Sequence, residues 1–357
     1  MLSRLTEEIA ASGGWIPFAR YMELVLHEPG LGYYAGGAQK FGAAGDFVTA
    51  PELGRLFGRT LARQINQLCV DAVLEIGAGS GALAETLLQE LSCEYLILET
   101  SPELSERQRA RLQGRAVWLE RLPERFRGVI IANEVVDAMP VHAVTWASDG
   151  IHERGVALER GELRWRERPA SGELLAQARA IADFIPHSIE LPPRYESEIG
   201  LVAQAWMRQL AESLEQGAIF VFDYGFPRRE YYHSQRSMGT LMCHHRHRAH
   251  GDVFLQPGEQ DLTAHVDFSA LAAAAREGGL EVLGYATQAQ FLVNCGITDV
   301  LGEANVENAL HYAPLAAEAQ KLLSPAEMGE LFKVLALGRG IKAPLAGFAR
   351  GERSNTL

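Results

Sequence analysis

Short apolar runs alternating with amphipathic stretches predict an α/β fold with a mostly parallel sheet covered on both faces. Three observations carry that prediction. From residue 72 onward, strand-like runs at Ala72–Ile76, 95–98, Val117–Leu119, 129–132 and 218–222 are separated by segments of helical spacing. A glycine-rich turn, Gly77-Ala78-Gly79-Ser80-Gly81, follows the first run directly. The chain of 357 residues is 47% hydrophobic, enough to bury a large core without disulfide or metal staples.

The first sixty residues read as helical. Pro17 suits a first helical turn, and Phe18, Tyr21, Met22, Val25 and Leu26 follow at helical spacing. Gly30-Leu31-Gly32 and Gly36-Gly37 break the chain into loops. Thr49-Ala50-Pro51-Glu52 then opens a helix as a capping box, with Leu53, Leu56, Phe57, Ile65 and Leu68 as its stripe. Leu83, Leu87, Leu88 and Leu91 mark a helix after the glycine turn, and Ser101-Pro102 starts another. Residues 141–168 alternate apolar and polar around Asp149-Gly150 and Arg160-Gly161, which predicts an inserted β-meander. A helix through Val202, Trp206 and Leu210 precedes the 218–222 strand, and residues 226–260 read as polar loop. A helix from Phe268 to Ala275, a strand at 280–283, a helical stretch near 303–323 and a strand at 331–337 follow. The implied organisation is a helical region at 1–62, a main domain at 63–340 with insertions at about 141–190 and 226–260, and a loose tail at 341–357.

Lys and Arg total 33 against 45 Asp and Glu, a net charge of -12 that argues against a nucleic-acid or anionic-membrane binder. No apolar run approaches the roughly 18 residues of a membrane span. The four cysteines lack paired spacing and read as reduced thiols. The N-terminus resembles neither a secretory signal nor an Arg-rich transit peptide, so the expected location is cytoplasmic.

The glycine turn lets the backbone approach a ligand closely beside a helix N-terminus. Alone it is ambiguous. Gly77-x-Gly79-x-x-Ala82 satisfies a loose dinucleotide fingerprint, and a tightly packed turn with no ligand is a further alternative. Two carboxylates narrow the choice. Glu75 lies inside the first strand, where a charge needs a partner. Glu99 ends the second, 22 residues beyond Gly77, placed to accept ribose hydroxyls, although an acid at a helix start has the same address. Carboxylates here would repel a pyrophosphate. They suit a ribose, an amino group and a sulfonium, the groups of S-adenosyl-L-methionine.

The chain resembles the MidA-like family of class I S-adenosylmethionine-dependent methyltransferases, which includes the mitochondrial complex I assembly methyltransferase. The matching stretches are Met22 through Gly32-Tyr33-Tyr34, Phe41-Gly42-Ala43-Ala44-Gly45-Asp46-Phe47-Val48-Thr49-Ala50-Pro51-Glu52, and the glycine turn. They continue with Ser101-Pro102-Glu103-Leu104, Ala132-Asn133-Glu134-Val135-Val136-Asp137-Ala138-Met139-Pro140, Asp223-Tyr224-Gly225 and His265-Val266-Asp267-Phe268. The resemblance implies a Rossmann-like, seven-stranded, mostly parallel sheet with an antiparallel last strand. It implies Glu75, Gly77, Gly79 and Gly81 around the methionine part of the cofactor and Glu99 on the ribose, with Asn133 in the same set. Glu120 or Leu122 would then approach the adenine.

Glu134 and Asp137, three residues apart, share one face if that stretch turns helically, and would point into the crevice at the strand ends. Paired carboxylates suit a guanidinium, which is planar and stays protonated. The bland alternative is a helix cap and a surface ion pair. By the resemblance the acceptor is a protein arginine, first of all in a respiratory NADH dehydrogenase subunit. Asp46, in a glycine-flanked loop that could close as a lid, is a third acceptor-side candidate, or only an Asx turn. The run Cys243-His244-His245-Arg246-His247-Arg248-Ala249-His250 carries ligand-type residues, but two arginines and unpaired spacing argue against a metal. His265 near Asp267 reads as a packed helix-start histidine rather than a base. A cofactor-binding assembly factor without turnover, a small-molecule methyltransferase and a nicotinamide dehydrogenase stand as alternatives, the last disfavoured by Glu75.

Overall fold

The computed structural model describes residues 1–36, 49–183, 194–246, 248–305 and 307–357. A mixed sheet organises the chain from β1 (Ala72–Ile76), β2 (Glu94–Leu98), β3 (Val117–Leu119), β4 (Phe126–Asn133), β5 (Leu214–Phe226), β6 (Val266–Asp267), β7 (Glu281–Thr287) and β8 (Phe332–Arg339). Their order is β7-β8-β5-β4-β1-β2-β3, with β6 added beside the end of β5. The sheet therefore has eight strands among the described residues, one more than the seven expected. The extra strand has two residues, pairing Gly225 with Val266 and Phe226 with Asp267, too few to leave a periodic trace. Strand β8 is antiparallel to both β5 and β7.

Strand alternation divides the buried residues between two cores. Val73, Ile97, Val129, Phe220 and Phe222 pack with Phe57, Leu61 and Ile65 on one face. Leu74, Ile130, Ile219 and Val221 pack with Met207, Leu210, Leu271 and Ala275 on the other.

The meander forms at His142–Ala147, Gly150–Glu159 and Glu162–Pro169. Its second turn uses Arg160 and Gly161 at φ 54 and 86, the left-handed pair a tight hairpin demands. Two further strands complete it: Arg194–Ile199 pairs with the first strand and Ile16–Pro17 with the second. This sheet packs Phe18, Tyr21, Met22 and Val25 against Val141, Val156 and Leu163, which fixes the N-terminal helix Phe18–His27 beside the strand ends.

Three sequence expectations are corrected. The helix opening at Thr49 breaks into Ala50–Leu53 and Leu56–Leu68, and Thr49 makes no side-chain cap. The Glu318 carboxylate instead accepts the Leu56 N–H at 2.6 Å, in the space a Cβ on Gly54 would need. Residues 226–260 are not one loop: a helical turn, Arg228–Tyr231, is followed by a hairpin of Met242–His245 and Arg248–His250 that pairs with Asp261–Thr263. The tail is not loose. Leu345 and Phe348 are buried, the Phe348 ring lies 5.4 Å from Phe291, and the Arg353 N–H donates to Tyr285 O at 2.7 Å. Isolated apolar residues in a short tail carry no period, so the docking was invisible in sequence. Phe348→Ala is expected to lower unfolding stability by about 3–5 kcal/mol, read by urea denaturation. A change below about 0.5 kcal/mol would mean the tail adds no packing.

Among the described residues no helix is long and apolar enough to cross a membrane.

Candidate active site

The C-terminal ends of β1, β2, β4 and β5 open on a cavity of about 500 Å³. Its floor is the turn after β1. Gly77, Gly79 and Gly81 sit at φ 65, 53 and 80, a left-handed region that side-chain-bearing residues enter only with strain. A Cβ on Gly77 would come within 3.0 Å of a Val135 methyl. Gly77 and Gly79 line the cavity, while Gly81 caps the helix Ala82–Glu90.

Glu75 is buried beneath the turn and accepts the Tyr95 hydroxyl at 2.7 Å. Burial, with the charge of Glu99 added, pushes its carboxyl up to about 7 against the Tyr95 bond. Glu99 follows β2 and accepts the Ser101 N–H and the Gln108 amide, each at 2.9 Å. The same Gln108 nitrogen donates to the Gly79 carbonyl at 2.9 Å, and Trp118 Nε1 donates to Gln108 Oε1 at 2.9 Å. Gln108 thus ties the glycine turn to Glu99. Sequence reading missed it, because a glutamine in a polar helix carries no signal of burial. Glu120 and Leu122 are not among the lining residues; Thr100, Ser101 and Leu104 form that wall.

Asn133 ends β4 and Glu134 follows it, both lining the cavity. The stretch that follows is not helical, a correction to the expected shared helix face. Glu134 takes a left-handed φ of 53, and its N–H donates to Phe222 O at 2.9 Å. Asp223 Oδ2 accepts the N–H groups of Val136 and Asp137 at 2.9 and 3.2 Å. Glu134 and Asp137 nonetheless both line the cavity. Burial and the charge of Asp137 push Glu134 up to about 8. Burial pushes Asp137 up to about 6, partly offset by a hydrogen bond from the Tyr224 hydroxyl. Asp137 is 6% exposed, and its Oδ1 has no hydrogen-bond partner. A carboxyl oxygen buried without a donor costs about 1–3 kcal/mol, a cost that a cationic ligand would offset. Asp46 lies outside the described residues.

Two further groups on the wall escaped the sequence reading: Tyr34, from the N-terminal region, and Asp261, at the start of the Asp261–Thr263 strand. His265 lies edge-on to Tyr224 and Phe226, each at 5.2 Å. Burial, reinforced by Arg236 and Lys333, pushes it down to about 4, so it is neutral at pH 7. Asp267 does not partner it. It caps the following helix through the Ala270 N–H at 3.0 Å and pairs with Arg228 at 3.2 Å. The histidine-rich run falls on the hairpin of Met242–His245 and Arg248–His250; Met242, His244 and Ala249 reach the cavity, Cys243 is buried, and His247 lies outside the described residues. Among the described residues, no three His, Cys, Asp or Glu side chains are grouped to hold a metal.

Residues 56–286 match a family of S-adenosyl-L-methionine-dependent methyltransferases. The chain belongs to that family. Its relatives include the mitochondrial protein arginine methyltransferase NDUFAF7 homolog of Drosophila melanogaster, 29% identical over 95% of this chain and 86% of the relative. The human NDUFAF7 is likewise 29% identical, over 94% of this chain and 83% of the relative. A crystal structure of a Burkholderia thailandensis protein bound to S-adenosyl-homocysteine is 49% identical, with a TM-score of 0.94 over 100% of this chain and 96% of that one.

The cofactor is S-adenosyl-L-methionine, and the cavity fits it. Glycines at positive φ leave room against the backbone. Buried Glu75 and half-buried Glu99 offer acceptors, and among the described residues no Lys or Arg lines the cavity to repel a sulfonium or an ammonium.

The raised carboxyls make a stability prediction for the cofactor-free protein. A carboxyl whose folded pKa is raised gives stability that is fully present below its unfolded pKa and lost as pH rises through the folded value. For Asp137, Glu75 and Glu134 those values are about 6, 7 and 8. Lys333, pushed down to about 8, acts in the opposite sense only above that pH. The cofactor-free protein should therefore melt lower at pH 8 than at pH 6.5, and Glu134→Gln should shrink the fall. A flat profile in both proteins would show these carboxyls to be unstrained.

Proposed function

We propose that the protein methylates the guanidinium of a protein arginine, in the cytoplasm, with a respiratory NADH dehydrogenase subunit as the first substrate to test by family resemblance. One observation carries the arginine reading: the cavity presents Glu134 and Asp137 together, with no lysine or arginine among the described residues that line it. Two carboxylates match the planar donor fork of a guanidinium better than any neutral acceptor. The relatives named as protein arginine methyltransferases support the same substrate class.

Bound S-adenosyl-L-methionine supplies an electrophilic methyl group on a sulfonium. The rest falls to the chain's own residues. Glu75, Glu99 and the glycine turn hold and orient the cofactor, since positioning supplies much of the barrier reduction in such displacements. Glu134 and Asp137 hold the guanidinium. The acceptor nitrogen gains a methyl and must lose one proton, because the methylated product is again a guanidinium. A carboxylate oxygen of Glu134, whose high proton affinity suits the task, takes that proton and passes it to solvent. Asp223 holds the turn that presents both carboxylates.

The test is the chemistry of the product. Proteins labelled from tritiated cofactor are hydrolysed to amino acids and separated against methylarginine and methyl-lysine standards. Label in methylarginine supports the proposal; label in methyl-lysine alone, or only in small molecules, overturns it.

A further inference from the structure

The acceptor side of the cavity holds one more acid than the Glu134–Asp137 pair. Asp261 reaches it from the insertion after β5 and is 3% exposed. The Tyr34 hydroxyl donates to its Oδ1 at 2.8 Å. Its charge is close enough to raise the proton affinity of Glu134, Tyr34 and Tyr224. Three carboxylates from two separate segments thus share one chamber. Among the described residues the basic groups on the wall are histidines, and burial disfavours the charged form of both His27 and His265. A second observation points to a cation there, independent of the acidic count: Asp137 Oδ1 is buried and unpartnered on the same wall.

We propose that Asp261, oriented by Tyr34, is a third carboxylate of the acceptor pocket and contacts the substrate guanidinium. The inference rests on the arginine reading and deepens it. A guanidinium offers five N–H donors in a plane, more than two carboxylates of one short turn can meet at good geometry. A carboxylate on another segment can take the donors that Glu134 and Asp137 leave. One of the guanidinium nitrogens must stay free to receive the methyl, and fixing the group from more than one segment selects which.

Tyr34 is built to couple this wall to the cofactor wall. Its N–H donates to Leu26 O at 2.8 Å, which anchors it to the N-terminal helix. Its carbonyl accepts the Ser101 hydroxyl at 2.9 Å, on the cofactor side. The His27 ring stacks on its ring at 5.6 Å. Its hydroxyl then sets Asp261. Acceptor and cofactor walls therefore meet in one residue.

The test separates binding from turnover and uses the full-length protein saturated with S-adenosyl-homocysteine. Nα-acetylarginine amide is titrated calorimetrically, with the neutral, isosteric Nα-acetylcitrulline amide as control. Wild type should bind the arginine amide and not the citrulline amide. Asp261→Asn should weaken arginine binding about tenfold or more, the loss of a charged hydrogen bond, with S-adenosyl-homocysteine affinity within about twofold of wild type. Tyr34→Phe, which keeps the ring and removes only the hydroxyl, should weaken arginine binding by a smaller factor and guards against a misfolded Asp261→Asn. Arginine binding unchanged in Asp261→Asn and Tyr34→Phe, beside a discriminating wild type, would overturn the role of Asp261 and leave the arginine reading intact. A wild type that fails to tell arginine from citrulline would overturn both.

Discussion

Gly79→Val is expected to weaken S-adenosyl-L-methionine binding by at least about a hundredfold, or roughly 2.7 kcal/mol. Gly79 holds φ 53 on the cavity wall, and its carbonyl receives the Gln108 amide that also binds Glu99. A β-branched residue at that φ is strained by about 1–3 kcal/mol, and its side chain competes with the cofactor for space. Relieving the strain rotates the carbonyl and releases Gln108 from its bridging position. The effects act on the same ligand, so they compound. The two cores either side of the sheet do not include Gly79, and the variant should still fold. Calorimetric titration with S-adenosyl-homocysteine, beside circular dichroism, reads both. Affinity within about twofold of wild type in a folded variant would remove the glycine turn from the cofactor site.

Glu134→Gln is expected to keep cofactor affinity and lower kcat by about 10² to 10⁴, the range for loss of a positioned general base. Glutamine fills the same volume and tolerates the same left-handed φ no worse than glutamate, so the turn between Phe222 and Asp223 survives. The amide cannot take the proton that the acceptor nitrogen sheds. In wild type, kcat/KM should rise with pH below about 8, where free Glu134 becomes ionised, and level off above. The variant should lose that limb. Its relief from a buried like-charge pair also predicts a higher melting temperature than wild type at pH 8. Gain in stability with loss of turnover is the pattern of a residue kept for chemistry.

The contrast between what was and was not legible in the sequence follows chain separation. The glycine turn, Glu75 and Glu99 are adjacent to strands with strong apolar runs, so their place at the strand ends could be read from the sequence. The meander announced itself through period-two alternation and two glycine turns. Tyr34 and Asp261, joined by one hydrogen bond, lie 227 residues apart, and no local pattern connects them. Asp223 sits 86 residues beyond Asp137, yet its carboxylate accepts the Asp137 N–H and so helps hold the Glu134–Asp137 turn. The spacing of Glu134 and Asp137 suits a helix, but Glu134 holds a left-handed φ of 53 with its N–H on Phe222 O, which no local pattern announces. Gln108 was hidden differently: its helix is polar in composition, and burial came from the indole of Trp118 and the carboxylate it serves.

The most direct test of the account joins the cleft to transfer. Tritiated S-adenosyl-L-methionine is added to lysate from cells lacking this gene, with wild-type protein in one sample and Glu134→Gln protein in another. Cofactor binding by both is verified separately. The account predicts a labelled protein band with wild type, absent or at least about a hundredfold weaker with Glu134→Gln. Equal labelling by the two proteins would contradict the assignment of proton transfer to Glu134. No labelled band from a wild type that binds the cofactor would contradict the protein substrate.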